Sequence, residues 1–431
     1  MDIIGIFIGL IMLMVLAYMG YSIIWIAPLS AGVVAMTGGL DLLEAYTGTY
    51  MSGLIGFLGD WFPVFMLSSI FGKLMEDTGM AKSIALKLSE VLGVKRAVMG
   101  VVLSAALLTY GGISLFVVVF AVYPVALNLF KEANLPRRLI PGAIALGAFG
   151  FTMTAVPGTP QIQNLIPMDY FGTTPTAAPI MGIASAIVIA VGGYLYLVWR
   201  QNKLLANGEV YTEPKDKAVL NIEDDEPNMF IALIPLVLVV ATLNFLGWDI
   251  VIALLVGIAA TLLLNIHKIK KLKFSRSVNE GAKGSLGAIM NTSAAVGFGT
   301  VVQASPGFAT LTGALTAIPG TPLISLAASV NILAGATGSA SGGMGIALEA
   351  LGDYYVQAAE TSGVALEAFH RVASISSGGL DVLPHNGAVL TLLAVSGLTH
   401  KDSYIDIAVV GIIIPIISVI VAIIFANLGL V

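Results

Sequence analysis

Four short, polar, glycine-rich runs interrupt an otherwise apolar chain: TYGGIS (109–114), TAVPGTPQIQN (154–164), GATGSASGG (335–343) and GGLDVLPHNG (378–387). Inside a bilayer, non-helical backbone leaves N–H and C=O groups unpaired at a cost of several kcal/mol each unless they face protein, water or a ligand. Four such breaks are therefore expected to converge on one polar cavity. Helices that restart at a break expose N-terminal amides carrying partial positive charge, which can hold an anion without Lys or Arg. None of the four runs contains a Lys or Arg. The expected lining is Thr109, Gly111, Gly112, Ser114, Thr159, Thr337, Gly338, Ser339, Ser341 and Gly342, which supply hydroxyls and close backbone approach. Gln161, Gln163, Asn164 and Asn386 add amides that both donate and accept, and so can bond ligand hydroxyls. Such a lining suits a hydroxy acid better than an apolar ligand. The same residues also have a plainer use, since Gly and Ser pack helices closely and hydroxyls bond the carbonyl four residues back.

Asp381 and His385 are the ionisable groups nearest an expected midplane break. Acids inside a membrane are functional candidates by default, and either group can carry a coupling proton. Their structural alternatives are a helix cap for Asp381 and a donor to a backbone carbonyl for His385. His267 and His400 fall in basic loops and His370 in a segment on the other face, and all three are read as solvated. Glu349, taken as closing the second hairpin, and Asp60, near the start of a span, are placed at the interface; Asp224, Asp225 and Glu226 form a solvated run. No GxxxxGK[ST], HExxH or nucleophile-elbow pattern occurs, so no catalytic residue, metal or cofactor is expected. Asn291-Thr292-Ser293 matches a glycosylation signal but falls inside an expected span, and is read as accidental. Gly5-x-x-x-Gly9 offers a face for helix packing.

The elements that must position these residues follow from composition. The 431 residues are 57% hydrophobic and only 10% charged, with a mean hydropathy of +0.95, whereas soluble domains carry about 25% charge. This excludes an ordinary cytosolic enzyme, a disordered chain and a nucleic-acid binder. The 48 Gly and 18 Pro within apolar sequence suit an all-α polytopic membrane protein with the lipid bilayer as its partner; the alternation of a β-barrel is missing. The absence of cysteine rules out disulfides and thiolate chemistry. The N-terminal MDIIGIFIGLIMLMVLAYMG carries Asp in place of a basic residue and has no small-residue cleavage site, so it is read as the first span.

Crossings are expected near 3–19, 21–38, 54–72, 139–170, 176–198, 229–246, 248–266, 284–303, 372–397 and 405–428. The stretches 97–130 and 323–349 are too long and too glycine-interrupted for single helices, and read as re-entrant hairpins. The 20 Lys and Arg test this map: they fall in 73–96, 131–138, 200–217 and 268–283, apart from Arg371 and Lys401. With both hairpins re-entrant, every one except Arg371 lies on one face, the cytoplasmic face under the positive-inside rule, and both termini lie outside.

Identities recur at one offset of 227 residues: Gly20 with Gly247, Ile23 with Ile250, Phe71-Gly72 with Phe298-Gly299, Gly111 with Gly338, Ser114 with Ser341 and Pro157 with Pro384. The chain is thereby divided into a first repeat at 1–199, a cytoplasmic linker at 200–228 and a second repeat at 229–431. Each repeat has five crossings, one hairpin and a broken helix: 97–130 and 139–170 in the first, 323–349 and 372–397 in the second. An odd number of crossings inverts the second copy, the arrangement from which alternating access around a midplane site follows.

Together, TYGGISLFVVVFAVYPVALNLFKEANLPRRLIPGAIALGAFGFTMTAVPGTPQIQN, GATGSASGGMGIAL and SSGGLDVLPHNGAVLTLLAVSGLTHKDSY resemble the gluconate permease family of the ion transporter superfamily, over nearly the whole chain. The resemblance implies a bacterial inner-membrane symporter for gluconate or a related hydroxy acid such as 3-hydroxybutyrate, driven by protons. It also implies a homodimer in which scaffold helices (1–72 in the first repeat) stay fixed while a transport domain containing 97–170 moves in an elevator-like manner. The family's site maps onto Thr109 to Ser114, Pro157 to Asn164, Gly338 to Gly343 and Asp381 to Asn386. Ser-Asn-Thr tripeptides that bind sodium in related carboxylate carriers are missing from these breaks, which favours protons; a sodium-coupled di- or tricarboxylate carrier is the alternative. A membrane-embedded enzyme lacks a nucleophile and base here, and a channel would not need the twofold broken-helix plan.

Overall fold

The computed structural model describes residues 2–214, 227–268, 273–316 and 318–431. Among these, all regular structure is helical. Residues 215–226 of the expected linker, with Asp224, Asp225 and Glu226, lie outside the described residues.

Among the described residues, five helices are long and apolar enough to cross a bilayer: Leu42–Asp77, Leu115–Glu132, Pro179–Ala206, Phe274–Ala304 and His400–Asn427. Several extend beyond the expected spans. Leu42–Asp77 starts twelve residues before position 54 because Asp41 caps it, its carboxylate accepting the Glu44 N–H at 2.8 Å, and a π-turn over Ala45–Tyr50 carries the polar AYTGTY sequence into the helix. Hydropathy averaging discounts such a segment. Pro179–Ala206 likewise runs past 198 and ends at Asn207, so the first residues assigned to the linker are helical. Beyond that helix, Lys131 pairs with Glu213 at 2.6 Å and Arg138 with Glu209 at 3.4 Å, while Ser83 donates to the Pro227 carbonyl. These contacts gather 83, 131–138, 207–213 and 227 on one face. Met80–Leu92 lies on that face and turns by 108° into the next helix.

At the centre, Leu42–Asp77 and Phe274–Ala304 run antiparallel in close contact. Small residues permit this. A Cβ on Gly281 would stand 2.6 Å from the Ile70 Cα, and one on Gly297 would stand 2.8 Å from the Tyr50 carbonyl oxygen, whose own hydroxyl donates to Ala294 O at 3.1 Å. The first two helices, Asp2–Tyr18 and Ile23–Thr37, pack on this pair through Ile6, Leu13, Ile26 and Val34 against Ala294, Phe298 and Val301. Gly5 and Gly9 face Thr37 and Val34, so the glycine spacing does make a packing face.

Both segments read from the sequence as re-entrant form helical hairpins. The first joins Ala97–Tyr110 to Leu115–Glu132, and the second joins Pro322–Thr337 to Ala340–Ser362. The second arm of the latter runs thirteen residues past 349, which corrects the placement of Glu349: it sits mid-arm and accepts a hydrogen bond from the Tyr170 hydroxyl at 3.0 Å. Two broken helices complete the arrangement. The first runs 140–154, breaks, and resumes as Ile162–Phe171; the second runs Leu366–Ser377, passes a short 3-10 turn at Leu380–Val382, and resumes as Gly387–Ser396.

Gly343 shows how tightly the second hairpin closes, because a Cβ there would overlap the Ala334 backbone. Overpacking of this kind costs about 1–3 kcal/mol. Gly343→Ala is therefore expected to lower the thermal unfolding midpoint in detergent, while Gly59→Ala, where a Cβ meets nothing within 4 Å, leaves it unchanged. Scanning fluorimetry on the two variants checks this.

Candidate functional site

The four breaks meet. One cavity of about 790 Å³ is lined by Ser114, Leu115 and Phe116 at the first hairpin tip, Gln161, Ile162 and Gln163 at the first break, Ser339, Ala340 and Ser341 at the second hairpin tip, and Asn386, Gly387 and Ala388 at the second break. Each trio is the N-cap residue and opening residues of a helix. Four helix N-termini thus point into one space, and their partial positive charges add there.

The two halves use these termini differently. Ser339 Oγ accepts the Gly342 N–H at 3.1 Å and Asn386 Oδ1 accepts the Val389 N–H at 2.9 Å, so both second-half termini are capped by their own side chains. Ser114 and Gln161 make no such bond. Gln161 instead turns back, its Nε2 donating to Thr109 O at 2.6 Å and Ile113 O at 3.3 Å, which leaves the opening N–H groups of its helix facing the cavity.

At the second break, Asp381 is 4% exposed and its Oδ1 has no hydrogen-bond partner among the described residues. His385 lies over Gly338, where a Cβ would come within 2.7 Å of the ring, and the +59° φ of Gly338 is itself unfavourable for a side chain. Both groups line the cavity together with Thr337, Gly338 and Asn386. Hydroxyls run from the tip to the central helix, Ser339 Oγ lying 3.5 Å from Ser341 Oγ and that atom 3.2 Å from Thr292 Oγ1. The opposite end of the cavity is charged. Lys73 pairs with Asp77 at 2.9 Å, Glu76 at 3.4 Å and Glu280 at 3.9 Å, and Lys73, Glu76 and Glu280 all line the opening.

Several expected lining residues are packed behind the wall. Thr109 and Thr159 are fully buried, and the Oγ1 of each lacks a partner among the described residues. Gly111 lies under Leu236, where a Cβ would come within 2.6 Å, and Gly112 lies on Pro160. Gly342 is buried against Ser339 and Ala295. Asn164 is fully buried, its Nδ2 donating to Thr159 O at 2.9 Å and Pro175 O at 2.8 Å, so its amide is spent on holding the break in shape. Residues that the sequence reading missed include Asn291 and Thr292 on Phe274–Ala304 and Ser68 and Ser69 on Leu42–Asp77, all on the wall. These lie in unbroken helices, where polarity without a break gives no local signal.

The placement of His370 and Arg371 is also corrected. Helix Leu366–Ser377 begins six residues before 372 and takes both inside; neither is exposed. Arg371 donates to Ala177 O at 2.6 Å and 3.1 Å, to Asn164 Oδ1 at 2.8 Å, to Pro175 O at 3.4 Å and to Ala155 O at 3.5 Å. His370 contacts Thr173 Oγ1 at 2.6 Å and Asn164 Oδ1 at 3.3 Å. The basic residue that the sequence map leaves off its common face is therefore buried in protein, where it carries no topological signal. Leaving a buried hydrogen-bonding group without its partner costs about 1–3 kcal/mol. Arg371→Met, which strands these acceptors, is expected to abolish the monodisperse peak in fluorescence-detected size exclusion. Arg371→Lys, with fewer donors, is expected to lower the unfolding temperature; unchanged behaviour of Arg371→Met would rule out this structural role.

No protein-family model matches the chain. The uncharacterized transporter YxjC of Bacillus subtilis (strain 168) is 42% identical over 449 residues, covering 94% of this chain and 95% of that protein. An uncharacterized permease of Haemophilus influenzae is 30% identical over 223 residues, covering 49% of this chain and 43% of that protein. Among solved structures, the YdaH transporter of Alcanivorax borkumensis, described as having an unusual topology, aligns over 88% of both chains with a TM-score of 0.57 at 13% identity, a likeness of fold. On the near full-length relationship to YxjC, this chain, a multi-pass helical membrane protein, belongs to the same transporter family.

Proposed function

We propose that the protein is a secondary transporter that carries a hydroxy monocarboxylate, such as gluconate or 3-hydroxybutyrate, in symport with protons. The observation that carries this reading is the convergence of four helix N-termini on one cavity whose tips contain no Lys or Arg. A carboxylate is held there by backbone amides and hydroxyls, chiefly at the uncapped first-half termini. The capped second half supplies Ser341, Thr337 and Asn386 beside it. Asp381, a buried carboxyl with an unpartnered oxygen and no cation paired to it among the described residues, carries the coupling proton, with His385 four residues on.

The sequence resemblance to the gluconate permease family supports the substrate class. The 227-residue offset supports an inverted repeat: Met80 and Gly307 begin corresponding helices, Tyr110 and Thr337 end corresponding hairpin arms, and Gly20 and Gly247 make left-handed turns between corresponding helix pairs. Such a repeat lets one chain adopt two similar states that open oppositely. Under the positive-inside rule the face bearing Lys73, Lys82, Lys131 and Arg138 is cytoplasmic, so the cavity opens inward and both termini are extracytoplasmic. An elevator-like movement in a homodimer of the bacterial inner membrane completes the reading, on the strength of the same resemblance.

One observation favours a second reading. Thr109 and Thr159 place two fully buried, unpartnered hydroxyl oxygens beside the first break, the chemistry of an alkali-cation site, as a sodium-coupled di- or tricarboxylate carrier would need. Labelled gluconate uptake into proteoliposomes under separately imposed proton and sodium gradients, with 3-hydroxybutyrate, lactate and citrate as competitors, decides between them. The expected result is proton-driven uptake blocked by hydroxy monocarboxylates; sodium-driven uptake or a preference for citrate overturns it. In the same vesicles, Asp381→Asn is expected to abolish uphill accumulation while sparing downhill exchange, which need not release the proton. Unchanged accumulation would exclude Asp381 as the coupling group.

A further inference from the structure

Asn291, the residue whose sequence context matched only an accidental glycosylation signal, lies on the cavity wall. It belongs to a stripe on Phe274–Ala304 made by Gly281, Gly284, Ser285, Ala288 and Asn291, all of which line the cavity. Gly281 lets this helix pack closely on Ile70, and along the stripe the first long polar side chain after the four small residues is Asn291. The distance along the helix from Glu280 at the opening to Asn291 is about 16 Å at 1.5 Å per residue. Its neighbour Thr292 bonds Ser341 at 3.2 Å, and Ala295 packs against Gly342, so Asn291 stands beside the tip of the second hairpin.

Its amide is unspent. Asn291 Oδ1 is buried without a hydrogen-bond donor, and the side chain has no hydrogen bond to any described residue, so exchanging its oxygen and nitrogen changes nothing. Gln163 on the same cavity likewise has no side-chain hydrogen bond to a described residue, whereas two other cavity amides are spent. Gln161 is committed to Thr109 and Ile113, and Asn386 to Val389 and Gly338. A side-chain amide offers both an acceptor and donors, whereas a carboxylate only accepts and would leave the amide oxygen unpaired. A hydroxyl satisfies both, donating to the oxygen and accepting from the nitrogen.

We propose that Asn291 is a specificity-determining residue that reads a hydroxyl of the carried acid and discriminates against the analogue lacking it. This rests on the carboxylate-transport reading above. A site built around a substrate hydroxyl rejects the deoxy analogue strongly, because the protein group is then buried without its partner.

Competition by 3-hydroxybutyrate and by butyrate against labelled 3-hydroxybutyrate counterflow tests this in proteoliposomes, alongside the thermal shift each acid gives the purified protein. Wild type is expected to prefer the hydroxylated acid by about tenfold or more. Asn291→Ala is expected to weaken 3-hydroxybutyrate by a similar factor while leaving butyrate within about threefold, so that the preference collapses. Asn291→Ser is measured alongside as a smaller perturbation, and unliganded melting temperatures show that each variant is folded. A preference that persists in folded Asn291→Ala overturns the assignment alone. A wild-type protein that neither exchanges nor is stabilised by hydroxy acids overturns both the assignment and the transport reading beneath it.

Discussion

Arg371 joins the two broken helices, and most of the site geometry depends on that join. The chain unwinds at 155–161 in the middle of a buried helical segment, which frees carbonyls that an apolar surrounding cannot satisfy. The buried guanidinium meets them with a planar fork of donors, reaching Ala155 at the break, Pro175 and Ala177 in the following loop, and Asn164 within the resumed helix. Asn164 then passes the constraint on, since its Nδ2 donates to the carbonyls of Thr159 and Pro175. The absence of a carboxylate from this cluster is informative: carbonyl dipoles stabilise the cation while the cation satisfies the carbonyls, and neither is left for a ligand to complete.

With the back of the break closed in this way, its front is left to present helix N-termini. The first hairpin tip is held from behind by Leu236 against Gly111, and the first break by Asn244, whose Nδ2 donates to Gly158 O at 2.8 Å. The second tip is held by Phe274–Ala304 through the Thr292 and Ser341 hydroxyls and the contact of Ala295 with Gly342. Each half therefore rests on a different unbroken helix. At the opening Lys73 is shared among Glu76, Asp77 and Glu280, three carboxylates to one ammonium, while the amides, hydroxyls and Asp381 line the other end of the cavity.

The plan of the molecule was legible in its sequence to the extent that local rules govern it. Glycine-rich polar runs in apolar sequence mark breaks because the cost of unpaired backbone in hydrocarbon is large and local. Charge is costly to bury, which is why clustered basic residues read as one face; Arg371, the residue outside that reading, is buried against carbonyls that lie some 200 positions earlier in the chain, beyond the reach of any sequence window. Helix ends were less legible: Asp41 and the π-turn at Ala45–Tyr50 extend a span through residues that hydropathy averaging discounts.

For the site, residue types alone determined that four breaks would carry amides and hydroxyls without basic side chains, and that Asp381 and His385 would lie at one of them. Only the tertiary structure decided which of these groups face the cavity. Thr109, Thr159 and Asn164 belong to the same runs as Ser114 and Gln161, yet they turn into the packing behind the wall. Asn291 and Thr292, in a helix with no break, turn toward the cavity. A polar side chain's chemistry is set by its own atoms, but the direction it faces is set by how helices distant in sequence pack around it.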